Sequence, residues 1–494
     1  MNVGSSENSA TVPLSKHPQL FLDDYIIART HNLQRDVKEP VKHPGNPLIV
    51  QEHPWESRML NFYGTVLYAP DRQRYQCWYV GGRTGDRLVP GPGDDIRVGK
   101  YCIAYAESDD GLSWEKPMVG EGRWGPHETH NIVMPGAHGL CVLREEEEPD
   151  PAKRYKAAGG AQIGYSPDGI RWQLKDWKYA VGKNDTSPSV ARWNGTYYAY
   201  VRNQEEDPDW PGVMRGVGLC TSDDFDHWTK KESILRSDEQ DGYPWVQPHA
   251  LAATPYGDVL IGLLVMVHLV PEHPNNAMSE MDAQLVVSRD GRTWQRVADR
   301  AVFFKHPKPQ PFGRRAWDLR CHPGSNMLVV DDEIRIYYVG CNNRMGEGTW
   351  EDGRLRFGHE GEWSREQPVP LPESKWGIGL ATLPADRFVS LRPSNWMVEG
   401  ILETKPLQIS RERLIVNADA DPEQIKAEIL DENGHVLPGF DWRKTRAEPV
   451  DGLRMEVRWA DGSTIRTLGD AAGEKPVRLR LMIRNGDLFA FQVR

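Results

Sequence analysis

The sequence predicts an all-β protein, a five-bladed β-propeller over residues 1–391 with an N-terminal arm, followed by a small β-sandwich over 392–494. Three observations support this prediction: a hairpin motif that occurs four times, strand-like stretches that recur around each copy, and a change in residue pattern past Leu391. No long amphipathic helical pattern interrupts the series, which argues against an α/β fold.

The repeated motif is Ser-x-Asp-(Gly/Phe)-x-x-Trp. Its copies are Ser108–Trp114, Ser166–Trp172, Ser222–Trp228 and Ser288–Trp294. The aspartate accepts hydrogen bonds from the turn backbone, the glycine adopts a positive φ, and the tryptophan begins the next strand and packs back on the sheet. The motif therefore predicts four β-hairpins of one design.

Each hairpin is preceded by an aromatic or apolar strand. These strands are Tyr75–Gly82, Tyr155–Gly160, Tyr197–Arg202, Val259–Val267 and, in a fifth unit without the Ser and Trp of the motif, Ile334–Gly340. A further strand candidate precedes each one, which makes four strands per unit at a spacing of roughly 65 residues. Such a series is typical of a β-propeller, in which radial closure protects the sheet edges. A six-bladed ring and an elongated all-β array are the alternatives.

The C-terminal hundred residues have a different pattern. Tryptophans become rare and polar and apolar residues alternate strictly, as in Val477–Arg484, while Asp431–Gly434 is predicted as a hairpin turn. Short alternating strands of this kind predict a small β-sandwich.

Composition limits the classes of partner. The formal net charge is −11, so a nucleic-acid partner is not expected. Apolar runs are too short for a membrane helix, and the N-terminus lacks the pattern of a signal peptide, so we expect no membrane association and a cytoplasmic location. The six cysteines are scattered singly, which favours buried thiols over zinc ligands. The sequence makes no prediction of oligomeric state.

The stretches that lead into the innermost strands are unusually polar. Side chains at the start of these strands project into the central funnel, where propellers bind ligands. Glycosidic cleavage requires a carboxylic acid at the leaving oxygen and an ionised carboxylate for water or the anomeric carbon. We predict Glu56, Asp185 and Asp318 as the catalytic carboxylates. The structural alternative for each is a capping residue in a solvated loop.

Substrate binding is predicted for eight further side chains at the same entries. The tryptophans are Trp55, Trp245 and Trp317, the histidines are His130, His249 and His322, and the arginines are Arg202 and Arg320. Tryptophan stacks on sugar rings, histidine bonds hydroxyls or transfers protons, and arginine can bind a carboxylate with two hydrogen bonds. Core packing and salt bridges between blades are the alternatives. No organic cofactor and no metal site is predicted, although the spacing of His127 and His130 leaves a divalent metal open.

The hairpins resemble the Asp-boxes of sialidases, which are structural turns and imply no substrate. Five blades followed by a β-sandwich resemble the clan of family 32 and family 43 glycoside hydrolases. The related five-bladed enzymes of families 117 and 130 are similar in outline, and the segment His43–Ile49 resembles the entry of such enzymes into blade one. Leu20–Ile27 and Leu402–Leu407 are similar to segments of uncharacterised bacterial family 32-like proteins. The resemblance implies a carbohydrate-metabolising glycosidase with three carboxylates in its funnel. The Asn-Asp-Pro-Asn-Gly and Arg-Asp-Pro motifs of family 32 are absent, so no catalytic residue is transferred from it.

The sequence thus predicts a glycoside hydrolase that cleaves a terminal sugar or short oligosaccharide by carboxylate acid/base chemistry. Two alternatives stay open: a polysaccharide or oligosaccharide lyase that uses His, Tyr and Arg on a uronate, and a non-catalytic carbohydrate-binding propeller. Two funnel carboxyl groups roughly 5–10 Å apart favour hydrolysis. Histidine and arginine without a carboxylate pair favour the lyase, and a flat open face favours binding alone.

Overall fold

The computed structural model describes residues 11–57, 59–82, 101–136, 138–177, 188–206, 213–269, 279–307, 316–342, 349–351, 354–356, 375–409, 412–471 and 475–494. The chain forms two compact units. One, here the ring unit, comprises Pro40–Arg296 and Val302–Thr382. The other, here the terminal unit, comprises Met1–Glu39, Val297–Ala301 and Leu383–Arg494.

The ring unit consists of antiparallel sheets that follow one another along the chain, and the described residues form five of them. The first has strands Met59–Ala69, Arg74–Gly82, Tyr101–Ser108 and Ile132–Pro135. The second has Cys141–Arg144, Tyr155–Gly159, Gln162–Ser166 and Gln173–Asp176. The third has Ser189–Trp193, Thr196–Glu206, Val213–Ser222 and Glu232–Leu235. The fourth has Val246–Tyr256, Val259–His268, Glu280–Ser288, Gln295–Arg296 and Val302–Phe304.

The fifth sheet combines residues from both ends of the ring unit. Its strands are Arg320–Pro323, Leu328–Val330, Glu333–Cys341, Trp376–Pro384, Val41–Lys42 and Ile49–Val50. The last two pair with Trp376–Pro384, so the N-terminal part of the ring unit supplies the outer edge of the final sheet. A separate two-stranded ribbon joins Thr349–Glu351 and Arg354–Arg356.

The five sheets contact one another in cyclic order. The first contacts the second, each later sheet contacts the next, and the fifth contacts the first strand of the first sheet. The strands predicted from the repeated stretches are present in the described residues, including Ile334–Gly340 of the fifth unit within Glu333–Cys341. The first strand of each of the five sheets is an edge strand, and these five edges are here called the shared edge of the ring.

One hydrogen-bond pattern recurs in the four hairpin turns. In the second sheet, Ser166 Oγ accepts the N–H of Gly169 at 2.8 Å, and Asp168 Oδ1 accepts the two following N–H groups at 2.9 Å. Trp172 Nε1 donates to the Gly169 carbonyl at 3.0 Å, and Gly169 has a φ of +79°. The serine and aspartate bonds are the same in the other three copies.

The same turns join neighbouring sheets. Trp78 Nε1 of the first sheet donates to the Gly169 carbonyl of the second at 2.7 Å. Tyr337 of the fifth sheet donates to the Gly111 carbonyl of the first at 2.9 Å, and Tyr200 of the third to the Gly291 carbonyl of the fourth at 2.8 Å. In these three cases a buried aromatic side chain of the preceding sheet binds the turn.

The terminal unit contains two antiparallel sheets and one parallel strand pair. The larger sheet has strands Thr445–Pro449, Arg454–Asp461, Leu414–Asp419, Asp487–Val493, Val389–Pro393, Leu33–Val37, Gln19–Leu20 and Thr464–Arg466. The smaller has Ile27–His31, Gly400–Thr404, Arg478–Ile483 and Ile425–Leu430, and the pair is Val12–Pro13 with Leu407–Gln408. Both sheets contribute to one buried core, with Phe491 and Trp459 from the larger and Leu481 from the smaller.

The placement of residues 1–39 differs from the sequence-based division at 391/392. Residues 1–39 were predicted to belong to the propeller as an arm, but the structure groups them with the C-terminal sheets. The physical reason is strand pairing: Leu33–Val37 pairs with Val389–Pro393, and Ile27–His31 with Gly400–Thr404.

Helical segments within the described ranges are short 3₁₀ turns. They are Pro54–Glu56, Pro151–Lys153, Glu239–Asp241, Ala298–Arg300, Pro422–Gln424, Trp442–Lys444 and Leu468–Ala471. In these ranges, no helix has the length and apolar character needed to cross a membrane.

The contact between the turn and the preceding sheet can be tested at Gly169. A Cβ added there would lie 2.6 Å from Trp78 Cζ2, whereas a Cβ at Gly195, whose φ is +85°, meets nothing within 4 Å. Both Gly→Ala substitutions incur the cost of a positive φ, about 1–2 kcal/mol. We expect Gly169→Ala to lower the free energy of unfolding by a further 1–3 kcal/mol or so, because only it overpacks the junction. Equal losses in denaturant unfolding would contradict this account.

Candidate functional site

Each of the five sheets, or the residues next to it, supplies one polar side chain to a single cluster at the shared edge of the ring. The members are Tyr63, His138, Arg202, His249 and His322, here called the axial cluster. Tyr63, His249 and His322 lie in the first strands of the first, fourth and fifth sheets, His138 precedes the second sheet, and Arg202 lies in the third. Sequence analysis predicted the arginine and two of the histidines as ligand-binding residues, and the structure brings these three together.

The members of the axial cluster are in direct contact. The Tyr63 ring centroid lies 4.9 Å from that of His322, 5.5 Å from that of His138 and 6.0 Å from that of His249. The two histidine rings of the fourth and fifth sheets lie 5.2 Å apart. Arg202 donates from Nε and Nη2 to the backbone carbonyl of His249 at 3.2 and 3.0 Å. The Arg202 guanidinium therefore holds the backbone of His249 in place.

Two members of the cluster lie at irregularities of their strands. The pairing register shifts between Asn61 and Thr65, around Tyr63, and again between Pro248 and Ala250, around His249. A β-bulge of this kind leaves one residue unpaired and turns its side chain, and bulges are common beside active sites. Gly64 permits the first irregularity, because a Cβ there would lie 2.0 Å from the Trp78 carbonyl oxygen.

His322 presents an unsatisfied lone pair. Its Nδ1 lies 2.5 Å from the Pro323 carbonyl oxygen, which can only accept, so Nδ1 carries the proton of the neutral ring. Nε2 is then the basic nitrogen. It is buried and has no hydrogen-bond partner in the described part of the chain. His130 Nε2 is another buried ring nitrogen of this kind. A buried polar atom without a partner requires an explanation, and a bound ligand is one.

Both central histidines are neutral at neutral pH. Burial, reinforced by Arg202 and Arg320, lowers the pKa of His322 to about 4 against an opposing effect of the Pro323 carbonyl. Burial, Arg202, His322 and Arg215 hold the pKa of His249 well below its usual value. The positive charge around the cluster therefore belongs to arginines, while the imidazoles act as neutral donors and acceptors.

Glu56, a predicted catalytic carboxylate, is fully buried and bound on both oxygens. Tyr79 donates to Oε1 at 2.6 Å, and Lys116 donates to Oε2 at 3.0 Å. The backbone N–H groups of Glu52 and His53 also donate to Oε2, at 2.8 and 3.1 Å. This arrangement stabilises the turn at Pro54–Glu56 and leaves no carboxylate edge open to a sugar, so it does not support a catalytic role.

Asp318 is held in a second buried ion pair, and Asp185 falls outside the described residues. Lys42 Nζ lies 2.7 Å from Asp318 Oδ2, and the Tyr338 hydroxyl donates to the same oxygen at 3.0 Å. Asp318 is only 4% exposed. The structure therefore places the two described carboxylates in separate internal networks. A catalytic role for Asp185 stays a prediction.

Trp55 and His130 lie together in a small buried cluster of the first sheet. Trp55 is 4% and His130 2% exposed, and their ring centroids are 6.2 Å apart. Trp55 Nε1 donates to Asn131 Oδ1 at 2.8 Å. Neither ring presents a face to solvent in this arrangement, so the contacts are those of core packing.

The remaining predicted residues are half-buried. Trp317 packs on Tyr338 with ring centroids 5.6 Å apart and lies against Gly340. Trp245 accepts the N–H of Leu269 on its carbonyl at 2.7 Å. The guanidinium of Arg320 lies over the ring of Trp376, 4.3 Å from its centroid.

Sequence analysis missed Tyr63 and His138. The Tyr-Gly pair inside an apolar strand was an available signal for the first, because glycine in a strand often marks a bulge. No comparable signal marks His138, which follows Pro135 and Gly136. Two residues further on, Leu140 N–H donates to the Tyr63 carbonyl at 2.8 Å, which holds this segment beside the first sheet.

A separate cavity of about 440 Å³ lies at the opposite ends of the first strands. Its lining includes Leu67, Arg144, Arg192, Pro255 and Asn326, which represent all five sheets. The first strands of the first, fourth and fifth sheets thus carry Tyr63, His249 and His322 away from this cavity. Among the described residues, no group of three or more His, Cys, Asp and Glu side chains is arranged to hold a metal ion.

The sequence matches no protein-family profile and no curated protein. Several solved structures match the chain at low similarity. An N-acetylgalactosamine deacetylase from F. plautii is 13% identical with a TM-score of 0.44, over 72% of this chain and 97% of its own. A glycosyl hydrolase from Bacteroides ovatus is 15% identical with a TM-score of 0.41, over 77% and 99%. A family 32 β-fructofuranosidase from Bombyx mori is 10% identical with a TM-score of 0.39, over 92% and 95%. Likeness at this level does not assign the chain to a family or an activity.

The burial of His322 predicts acid sensitivity. Its pKa is lowered on folding from 6.5 to about 4, so between these values the unfolded chain binds a proton that the folded chain does not. Stability from this residue is therefore intact above pH 6.5 and lost as the pH falls towards 4, by about 3 kcal/mol. We expect His322→Gln to remove this part of the acid loss and His435→Gln, at an exposed histidine, to leave it unchanged. Denaturant unfolding at both pH values measures the difference, and parallel losses in wild type and His322→Gln would refute the assignment.

Proposed function

We propose that the protein is a glycosidase whose active site is the axial cluster. The observation that supports this most directly is the basic Nε2 of His322, buried and without a hydrogen-bond partner in the described residues, beside Tyr63 and His249. Sugar hydroxyls are donors of the kind such an atom requires. The cluster lies where all five sheets meet, and a ligand there contacts side chains from several sheets at once.

The proposal includes the architecture. We interpret the ring unit as a five-bladed β-propeller, and the two sheets of the terminal unit as a β-sandwich. The cyclic contacts of the five sheets and the strands that close the fifth sheet support the first interpretation. The single core shared by two antiparallel sheets supports the second.

Hydrolysis at this site requires a proton acceptor and a proton donor. In our proposal His322 Nε2 accepts a proton from water as the water oxygen bonds to the anomeric carbon. The bond from this carbon to the glycosidic oxygen breaks, and the leaving oxygen takes a proton. Asp185 lies outside the described residues and stays a predicted catalytic carboxylate. We retain it as the proposed partner of His322, the carboxylic acid that gives its proton to the leaving oxygen. A terminal sugar or short oligosaccharide is the proposed substrate.

A lyase reaction is the second candidate, and the chemistry of the cluster favours it specifically. Neutral histidine, tyrosine and arginine side chains suit elimination from a uronate, in which a base removes the proton at C5. The bond between C4 and the glycosidic oxygen then breaks, a C4–C5 double bond forms, and the leaving oxygen takes a proton from water. His322 Nε2 serves as the base in this reaction as well, because burial keeps it unprotonated.

The role of His322 predicts a large effect on catalysis. With an oligosaccharide substrate found by screening neutral and acidic plant and algal oligosaccharides, we expect His322→Gln to lower kcat/KM by about 10²–10⁴. The wild-type profile should lose activity below an apparent pKa of about 4, where the ring becomes protonated. His435→Gln is the control. Unchanged kcat/KM in a folded His322→Gln protein would remove this residue from the mechanism.

Asp185→Asn tests whether the retained carboxylate takes part in catalysis, and ¹⁸O-labelled water distinguishes hydrolysis from elimination. If Asp185 takes part in acid/base catalysis, the variant should lose about 10²-fold or more in kcat with little change in KM. Reaction in ¹⁸O-labelled water then identifies the product: hydrolysis places one labelled oxygen at the new reducing end, whereas elimination adds none and forms a conjugated double bond that absorbs in the ultraviolet. Full activity of Asp185→Asn would exclude Asp185.

A further inference from the structure

The electrostatic surroundings of the axial cluster are opposite in sign to the chain as a whole. The protein carries a formal net charge of −11. The largest effects of charged groups on His249 nevertheless come from Arg202, Arg215 and Arg320. An excess of one sign of charge around a site raises the local concentration of ligands of the other sign. The site is thus suited to a ligand that brings negative charge.

Arg320 differs from the other two arginines of this group in its contacts. Arg215 is also half-buried, but it donates from Nη1 to Gln247 Oε1 at 2.9 Å. Arg320 is half-buried, and its guanidinium lies over the ring of Trp376. It is two residues from His322 in the strand Arg320–Pro323, so both side chains point to the same face of the fifth sheet. Arg202, in contrast, is 5% exposed and bound to the His249 carbonyl.

Other cations near the ends of these sheets are neutralised internally. Lys116 pairs with Glu56 at 3.0 Å, and Lys42 with Asp318 at 2.7 Å. Arg320 forms no ion pair with any described carboxylate, and its ordered contact is with an aromatic face. A stacked guanidinium keeps its in-plane N–H groups available, and these match the two oxygens of an oxyanion.

We propose that the axial site takes an anionic sugar, and that Arg320, held over Trp376, binds its carboxylate or sulfate-ester group. The proposal rests on the proposed function, since it names the substrate class of the same site. Carboxylate and sulfate share the chemistry that a guanidinium recognises, and the two sources are separated by experiment. Arg320 is in this view a specificity-determining residue, placed two positions from the proposed base.

The test is a binding measurement that does not depend on turnover. Isothermal titration calorimetry with the full chain compares an oligogalacturonate, a sulfated galactan oligosaccharide and a neutral galactan oligosaccharide of equal length. We expect at least one of the two anionic probes to bind, with an affinity that falls as salt is added, and the neutral probe to bind at least tenfold more weakly. The anionic probe that binds identifies the group.

Arg320→Gln should weaken binding of that probe about tenfold or more, and Arg320→Lys should give an intermediate loss, because lysine keeps the charge without the planar fork. Arg443→Gln is the matched control, since Arg443 also stacks on a tryptophan, Trp442, in the terminal unit. Thermal unfolding verifies that each variant is folded. If Arg320→Gln does not fold, the binding comparison is made between wild type and Arg320→Lys.

The outcomes separate this inference from the proposed function. Arginine-dependent binding of an anionic probe without turnover supports the inference and counts against the glycosidase proposal. Turnover of the neutral probe, or neutral binding as tight as anionic binding, overturns the inference and leaves the glycosidase proposal in place. Anionic binding unchanged in both Arg320 variants also overturns it.

Discussion

The ring depends on the carbonyl oxygen of the glycine in the hairpin motif. At Gly169 this oxygen accepts one N–H from the tryptophan of its own turn and another from Trp78 of the preceding sheet. A carbonyl has two lone pairs, so a single atom can close the turn and bind the neighbour. The positive φ at this position favours glycine, although Phe225 adopts a φ of +66° in the third copy. Equivalent junctions at Gly111 and Gly291 bind the first and fourth sheets to the sheets before them.

The sheets are bound to one another through their hairpin turns and their packed faces. The residues of the axial cluster are therefore not needed for these contacts and can be polar. Ordinarily a buried imidazole with an unsatisfied nitrogen is costly. Here burial suppresses the charged form of His322 and His249, and the cost is reduced to that of a neutral ring. Bulges at Tyr63 and His249 turn the rings towards each other without interrupting the remainder of either strand. The strands that contain Tyr63 and His249 thus pair regularly for most of their length and are irregular only at the cluster.

The buried carboxylates Glu56 and Asp318 form ion pairs in the ring unit, whereas Arg320 contacts an aromatic ring, and the difference has an electrostatic reason. A buried carboxylate needs a cation and further donors, and Glu56 and Asp318 obtain both from Lys116 with Tyr79 and from Lys42 with Tyr338. Arg320 is instead supported by an aromatic face, which orients it without neutralising it. The same environment therefore binds Glu56 and Asp318 in internal ion pairs and leaves Arg320 half-buried, without an ion pair to a described carboxylate.

The sequence by itself determined the local structure: four hairpins of one type, the strands beside them and the different texture of the C-terminal region. Turn chemistry and the period of two are properties of neighbouring residues, so they can be read without knowledge of the fold. It also identified Arg202, His249 and His322 as candidates. Only the tertiary structure decided that Glu56 and Asp318 are buried in ion pairs, that Tyr63 and His138 join the histidines, and that Val41–Lys42 closes the last sheet. Lys42 is 276 residues from Asp318 in the chain, and no local pattern indicates a partner at that distance.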